Sequence, residues 1–175
     1  CKTQEDLSLR DLEQLIINKL RSLRNQTSPI TSKRVISFHA QTLPPKVICI
    51  ATSTGGPDAL KILLQNLSPA FRIPILIVQH MPPMFTKYLS QTLSRQTQKT
   101  IKEAADVAPL TEGDIVLARG GFHLQIEKKN SQLFYRSIQS PPINNLRPCA
   151  DILFTSAAEH AQSRSLAIVL TGMGQ

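Results

Sequence analysis

The sequence sets a serine where a tight turn could make it reactive. Ser53 lies in Ile50-Ala51-Thr52-Ser53-Thr54-Gly55-Gly56-Pro57, between the apolar run Val47 to Ala51 and a helix-like segment from Pro57. A strand that turns sharply into a helix lifts one side chain above the carboxyl edge of a sheet, and small neighbours permit the turn. Ala-Thr-Ser-Thr-Gly is one small residue away from the Gly-x-Ser-x-Gly elbow of hydrolases. The helix start behind it would offer N–H groups and a positive dipole to a developing oxyanion. Two other readings stay open. The turn could be an ordinary strand-to-helix connection in which Ser53 or Thr54 caps the helix. It could also be a phosphate or dinucleotide loop, although the full Gly-x-Gly-x-x-Gly spacing and the Gly-Lys-Ser/Thr of a P-loop are missing.

A second group with the right chemistry is His80, at the end of the apolar run before Met81-Pro82-Pro83. In an open parallel sheet, ligands and catalytic groups gather at the carboxyl ends of the strands, so His80 would share an edge with Ser53. A neutral imidazole there could take the serine proton and return it to a leaving group. Alone, His80 is better explained as a hydrogen-bonded structural residue; paired with Ser53 on consecutive strands it reads as a general base. The terminal Thr171-Gly172-Met173-Gly174-Gln175 is another strand end opening into a glycine turn, which could bring main-chain N–H groups near a bound carbonyl. By itself it reads rather as a plain strand-to-loop exit.

The elements that must position these residues alternate. Val47 to Ala51, Ile73 to Val78 and Leu166 to Thr171 read as buried strands, and Asp58 to Leu67 and Pro83 to Leu93 as helices with a proline near the start. This alternation predicts an α/β fold with a doubly wound, mainly parallel sheet in a Rossmann-like three-layer arrangement. Asp114 to Ala118, Phe122 to Glu127 and Gln132 to Ile138 read as a small antiparallel insertion, and Cys149 to Gln162 as a helix leading back to the core. Upstream, residues 7–23 repeat apolar residues at helical spacing, with Leu12, Leu15, Ile16, Leu20 and Leu23 on one face. The organisation expected is a linker helix in 1–25, a polar linker in 26–46 and a catalytic domain in 47–175.

Composition narrows the function classes. The chain has 175 residues, 41% of them hydrophobic, enough for one domain with a sizeable core plus an appendage. The net charge of +8 is spread evenly, and with 5% aromatics and no Trp a nucleic-acid surface lacks its stacking platform. The diffuse positive field suits an acidic protein partner instead. No apolar run is long enough to span a bilayer, so direct membrane insertion is not expected. Cys1, Cys49 and Cys149 form no metal-ligand or disulfide pattern, which fits a reducing, cytoplasmic setting.

Taken together, Ala51-Thr52-Ser53-Thr54-Gly55-Gly56, Gln79-His80-Met81-Pro82-Pro83, Arg147-Pro148-x-x-Asp151-x-Leu153-Phe154 and Leu170-Thr171-Gly172-Met173-Gly174 resemble, in order and spacing, the catalytic domain of the chemotaxis response-regulator protein-glutamate methylesterases. The likeness covers about Val47 to Gln175, and residues upstream resemble, by position, that family's junction with its receiver domain. It implies hydrolysis of glutamate γ-methyl esters on bacterial chemoreceptors, often with deamidation of receptor glutamines, by a Ser-His-Asp triad and without a cofactor or metal. Ser53 matches the nucleophile and His80 the general base. Thr54 and Met173 fall in the loops that line the oxyanion and substrate.

The family's third triad member, an aspartate, would follow Gln175, so the sequence as it stands reads as a fragment expected to be nearly inactive. In a serine protease, replacing that acid lowers turnover by about 10⁴. Asp151 is a chemical substitute, but its place in the first turn of a helix favours a helix-dipole role. Arg119, where the family tends to have Pro, and Leu146, where a polar residue is common, are further departures. Rival readings are a different small-ester hydrolase, a noncatalytic or degenerate regulatory domain of the same fold, and a nucleotide-binding module.

Overall fold

Two unbroken apolar runs form the centre of the sheet. In a computed structural model that describes residues 44–172, Val47–Thr52 (β1) and Ile75–Gln79 (β2) are buried at every position, as strands covered on both faces must be. The linker helix expected in 1–25, the linker as far as residue 43, and Met173 lie outside the described residues. After β1 comes helix α1 (Gly56–Gln65), and after β2 comes α2 (Pro83–Thr97), both with proline in the first turn. There follow β3 (Ile101–Glu103), β4 (Val107–Pro109), β5 (Ile115–Leu117), β6 (His123–Lys129), β7 (Gln132–Ile138), α3 (Ala150–Ala161), a 3₁₀ turn and β8 (Ser165–Val169).

The main sheet has the order β3-β5-β2-β1-β8, and all its pairs are parallel. Strand alternation then divides the core in two. Ile48, Ile50, Ile75 and Ile77 face Leu60 and Leu64 of α1 and Leu89 and Leu93 of α2. Val47, Cys49, Leu76 and Val78 belong with Leu153, Ala157 and Ala161 of α3 and with Leu124 and Ile126 of β6. Helices therefore cover both faces, which is the doubly wound arrangement the alternating pattern predicts. β1 leads through α1 to β2 on one side and pairs with β8, reached through α3, on the other, so the chain direction switches across β1. Ligands in such sheets bind at the carboxyl end of that switch point.

Three differences from the sequence reading have physical causes. Asp114 to Ala118 is not part of the antiparallel insertion: β5 lies inside the parallel sheet, between β2 and β3. The antiparallel sheet is β4-β7-β6, with β6 and β7 forming the expected hairpin and Val107–Pro109 taking the third place. β3 and β4 are three residues each, too short to carry a periodicity. The boundaries also shift, with α2 running to Thr97 and β8 ending at Val169.

The small sheet is fixed to the large one at the β5–β6 turn. A Cβ on Gly120 would stand 2.3 Å from Pro83 Cα, so the turn rests directly on the backbone at the start of α2. Gly120 N–H also donates to Thr86 Oγ1 at 3.1 Å.

Candidate functional site

Parallel pairing sets Ser53 and His80 level. Thr52 stands opposite Gln79, so Ser53 and His80 are the next residues on adjacent strands, and His80 N–H donates to Thr52 O at 3.0 Å. On the other side of β1, Ser53 N–H donates to Thr171 O at 2.8 Å. That bond brings the Thr171-Gly172 turn beside the serine. Gly172 has φ 145°, and a Cβ there would lie 2.3 Å from Ser53 Cβ, so only glycine permits the approach.

The turn after Ser53 is closed by main-chain atoms. Gly56 N–H donates to Ser53 O at 2.9 Å, and Gly55 occupies the N-cap position with φ 75° and no side-chain cap bond. The reading in which Ser53 or Thr54 caps the helix is thereby overturned, leaving the Ser53 hydroxyl outside the capping of α1. Thr54 is exposed, and its carbonyl accepts from Thr171 Oγ1 at 3.0 Å.

These strand ends open on a cavity of about 500 Å³ lined by Ser53, His80, Asn144, Leu146, Asp151 and Phe154 among others. Burial lowers the pKa of His80 from its ordinary 6.5, so the imidazole is neutral at neutral pH and able to accept a proton. Its Nε2 is buried without a hydrogen-bond partner among the described residues. Asp151 reaches the cavity from the exposed first turn of α3 and is not bonded to that nitrogen. A carboxylate there complements the helix dipole, the role the sequence favours. Arg119 stands apart from the cavity lining, with its guanidinium 4.3 Å from the Phe122 ring centroid and 3.6 Å from Asp106. Leu146 lines the cavity. Among the described residues no cluster of three or more His, Cys, Asp or Glu could hold a metal, and no helix is long and apolar enough to cross a membrane.

Two residues at this edge escape sequence reasoning. Gln79 is 2% exposed; its Nε2 donates to Ser53 O at 2.9 Å and to His80 O at 3.1 Å, while its Oε1 accepts from Thr52 Oγ1 at 2.7 Å. His123 is fully buried, its Nδ1 accepting from Cys149 N–H at 3.1 Å and its Nε2 lying 3.2 Å from Pro141 O. The proton must therefore sit on Nε2, and the ring ties down both ends of the loop that carries Asn144 and Leu146. Gln79 ends β2 and His123 begins β6, so each reads locally as a polar residue at a strand boundary, and only the buried network around it distinguishes it.

The family model described as CheB methylesterase matches residues 48–175. The protein-glutamate methylesterase/protein-glutamine glutaminase of Trichodesmium erythraeum is 42% identical over 143 residues, covering 82% of this chain and 41% of the relative. Its namesake from Thermotoga maritima is 36% identical over 173 residues, covering 97% of this chain and 50% of the relative. The chain thus spans half or less of the length of these curated relatives. Among solved structures, the Thermotoga maritima CheB methylesterase catalytic domain superposes with a TM-score of 0.72 at 41% identity, covering 76% of this chain and 70% of that one. The parallel sheet with its antiparallel annex, the level pair of strand ends and the matched span together place this chain in the CheB methylesterase family.

Proposed function

We propose that the protein hydrolyses glutamate γ-methyl esters, and deamidates glutamines, on the cytoplasmic domains of bacterial chemoreceptors, with Ser53 as nucleophile and His80 as general base. The observation that carries this reading is the placing of Ser53 and His80 at the ends of adjacent parallel strands, on one cavity. The names of the relatives supply the substrate class.

In this mechanism His80 takes the Ser53 hydroxyl proton as Oγ attacks the γ-carbonyl carbon. The Thr54 N–H, at the helix start, is the proposed donor to the tetrahedral oxyanion, and the family resemblance would add Met173 to that role. Collapse expels methanol, which leaves with the proton from His80, or ammonia where the substrate is an amide. Water, deprotonated by His80, then attacks the acyl-enzyme and releases the glutamate carboxylate and the serine. An aspartate of the full-length protein, as the family resemblance implies, would complete the triad by fixing the imidazole tautomer. The reading also includes a cytoplasmic location and a receiver domain ahead of the linker in the full-length protein.

The test is methanol release from a methylated receptor fragment by the full-length protein, together with mapping of the adduct formed by a serine-directed phosphonate. Labelling at Ser53 and loss of methanol release in Ser53→Ala are expected. Labelling elsewhere, or full activity in that variant, refutes the assignment.

A further inference from the structure

The edge that carries Ser53 and His80 ends in a polar network that the reaction itself does not use. The parallel ladder between β1 and β2 stops at the bond from His80 N–H to Thr52 O, because β1 turns after Thr52 and Thr54 N–H does not go on to His80 O. The His80 carbonyl is thereby left outside the ladder, and the Ser53 carbonyl accepts only from Gly56 N–H of its own turn among main-chain donors, at 2.9 Å, so the backbone itself ties neither to the other. Both are met by one side chain. The Gln79 amide gives one N–H to each, at 2.9 and 3.1 Å, and its oxygen takes the Thr52 hydroxyl at 2.7 Å. The amide can point only one way. Turned over, it would set its oxygen against two carbonyl oxygens and its NH₂ against a hydroxyl whose proton then lacks this acceptor.

Gly56 is shaped to the same amide. A Cβ at that position would lie 1.8 Å from Gln79 Oε1 and 2.8 Å from Thr52 Cβ. The glycine that opens α1 therefore leaves the room that the glutamine fills. Thr52, Gly56 and Gln79 make one fitted unit beneath the two strand ends, and Gln79 and Thr52 are almost wholly buried.

We propose that Gln79 is a positioning residue for the Ser53–His80 pair, its amide holding the ends of β1 and β2 at one height so that hydroxyl and imidazole meet in line. The proposal rests on the hydrolase reading of Ser53 and His80. Gln79 touches no reacting atom; it acts through the two carbonyls it binds. Displacing a reacting group by about 1 Å costs on the order of 10² in rate, so losing the clamp should lower turnover while leaving substrate binding, made elsewhere in the cavity, near its original strength.

The experiment measures kcat and KM on a methylated receptor fragment, the rate of phosphonate labelling at Ser53 and the thermal midpoint, all in the full-length protein. Gln79→Glu keeps the shape but sets a carboxylate against two carbonyls. It should lower kcat and the labelling rate together by about 10²-fold, with KM changed less than about threefold. Gly56→Ala, which displaces the amide, should reproduce that pattern. Thr52→Val removes the hydroxyl that orients the amide, and Thr52→Ser should recover most of the rate that Thr52→Val loses. A folded Gln79→Glu labelled within about threefold of the parent rate, or changed in KM alone, overturns the proposal. If Gln79→Glu does not fold, equal rates in Thr52→Val and Thr52→Ser overturn it instead. Labelling of the parent protein away from Ser53 defeats the hydrolase reading itself, and the proposal with it.

Discussion

Replacing Gly172 with alanine would set a Cβ directly against Ser53, the proposed nucleophile. The added Cβ would stand 2.3 Å from Ser53 Cβ, 3.0 Å from Ser53 N and 3.1 Å from Ser53 Cα. Carbon atoms in contact sit at about 3.5 Å or more, so the two segments must separate by about 1.2 Å. The bond from Ser53 N–H to Thr171 O, 2.8 Å long, cannot survive that separation unchanged. Alanine at φ 145° adds backbone strain of about 1–3 kcal/mol. Two consequences should appear together: a fall of about 2–12 °C in the thermal midpoint, and a loss of about 10² in the reactivity of Ser53. Differential scanning fluorimetry reads the first, and the second-order rate of phosphonate labelling in the full-length protein reads the second. A Gly172→Ala protein that melts and labels like its parent would show that the turn does not press on the serine, and the account of the approach would be wrong.

Four further outcomes follow from the surroundings of titratable groups. Because burial lowers the pKa of His80, the acid limb of kcat/KM should fall below pH 6.5; an inflection above it, in a pH–rate profile, contradicts the burial described. His123 is lowered too, by burial and by the nearby Arg147 charge against the opposing effect of the Pro141 carbonyl. The unfolded chain therefore binds more protons at these sites, and stability should decline as pH falls from 6.5 through the folded-state values, a decline that His123→Gln should flatten in thermal melts. The Cys49 thiol, pushed up to about 12 by burial, has a thiolate fraction of about 10⁻⁴ at pH 8; peptide mapping after iodoacetamide should find it unmodified until the protein unfolds. For Asp114, burial raises the pKa, but bonds from Lys102 and from Thr111 N–H and Oγ1 outweigh it and the net shift is downward. Asp114→Asn should cost about 1–3 kcal/mol at neutral pH, and the difference should shrink as pH falls through the lowered folded-state value; an equal loss at pH 7 and pH 2.5, read by denaturant titration, would refute the assignment to the charge.

What the sequence discloses depends on how far each element exceeds the noise of its own composition. β1 and β2 are unbroken apolar runs followed by helices with an early proline, and that pattern leads directly to a parallel sheet with Ser53 and His80 on one edge. Ile115-Val116-Leu117 has the same fully apolar character, but three residues flanked by turn formers suit an antiparallel meander equally well; only pairing with β2 and β3 decides the matter. Val107-Ala108-Pro109 carries no strand signal, and its identity as a strand comes from the β7 edge beside it. Gln79 is instructive in another way. Within Gln-His-Met-Pro-Pro it reads as a polar residue at a strand exit, whereas its amide is buried and satisfied by atoms 26 and 27 residues earlier in the chain. Such long-range satisfaction has no local signature, and the same holds for His123, whose partners lie 18 and 26 residues on.

The contact of Gly120 with Pro83 bears on how the domain can be re-engineered. Hairpins that hang from a core by their loops can be shortened, swapped or used as insertion points with little effect on what lies beneath. Here the β5–β6 turn shares a backbone contact with the first residue of α2, three positions after His80. Excising β6 and β7, or grafting a longer loop at residues 119–121, would remove a support of the segment from which the histidine projects. A permuted or minimised version of the domain should therefore keep this turn intact and place its new ends elsewhere, the exposed Asn130-Ser131 tip of the hairpin being the natural choice.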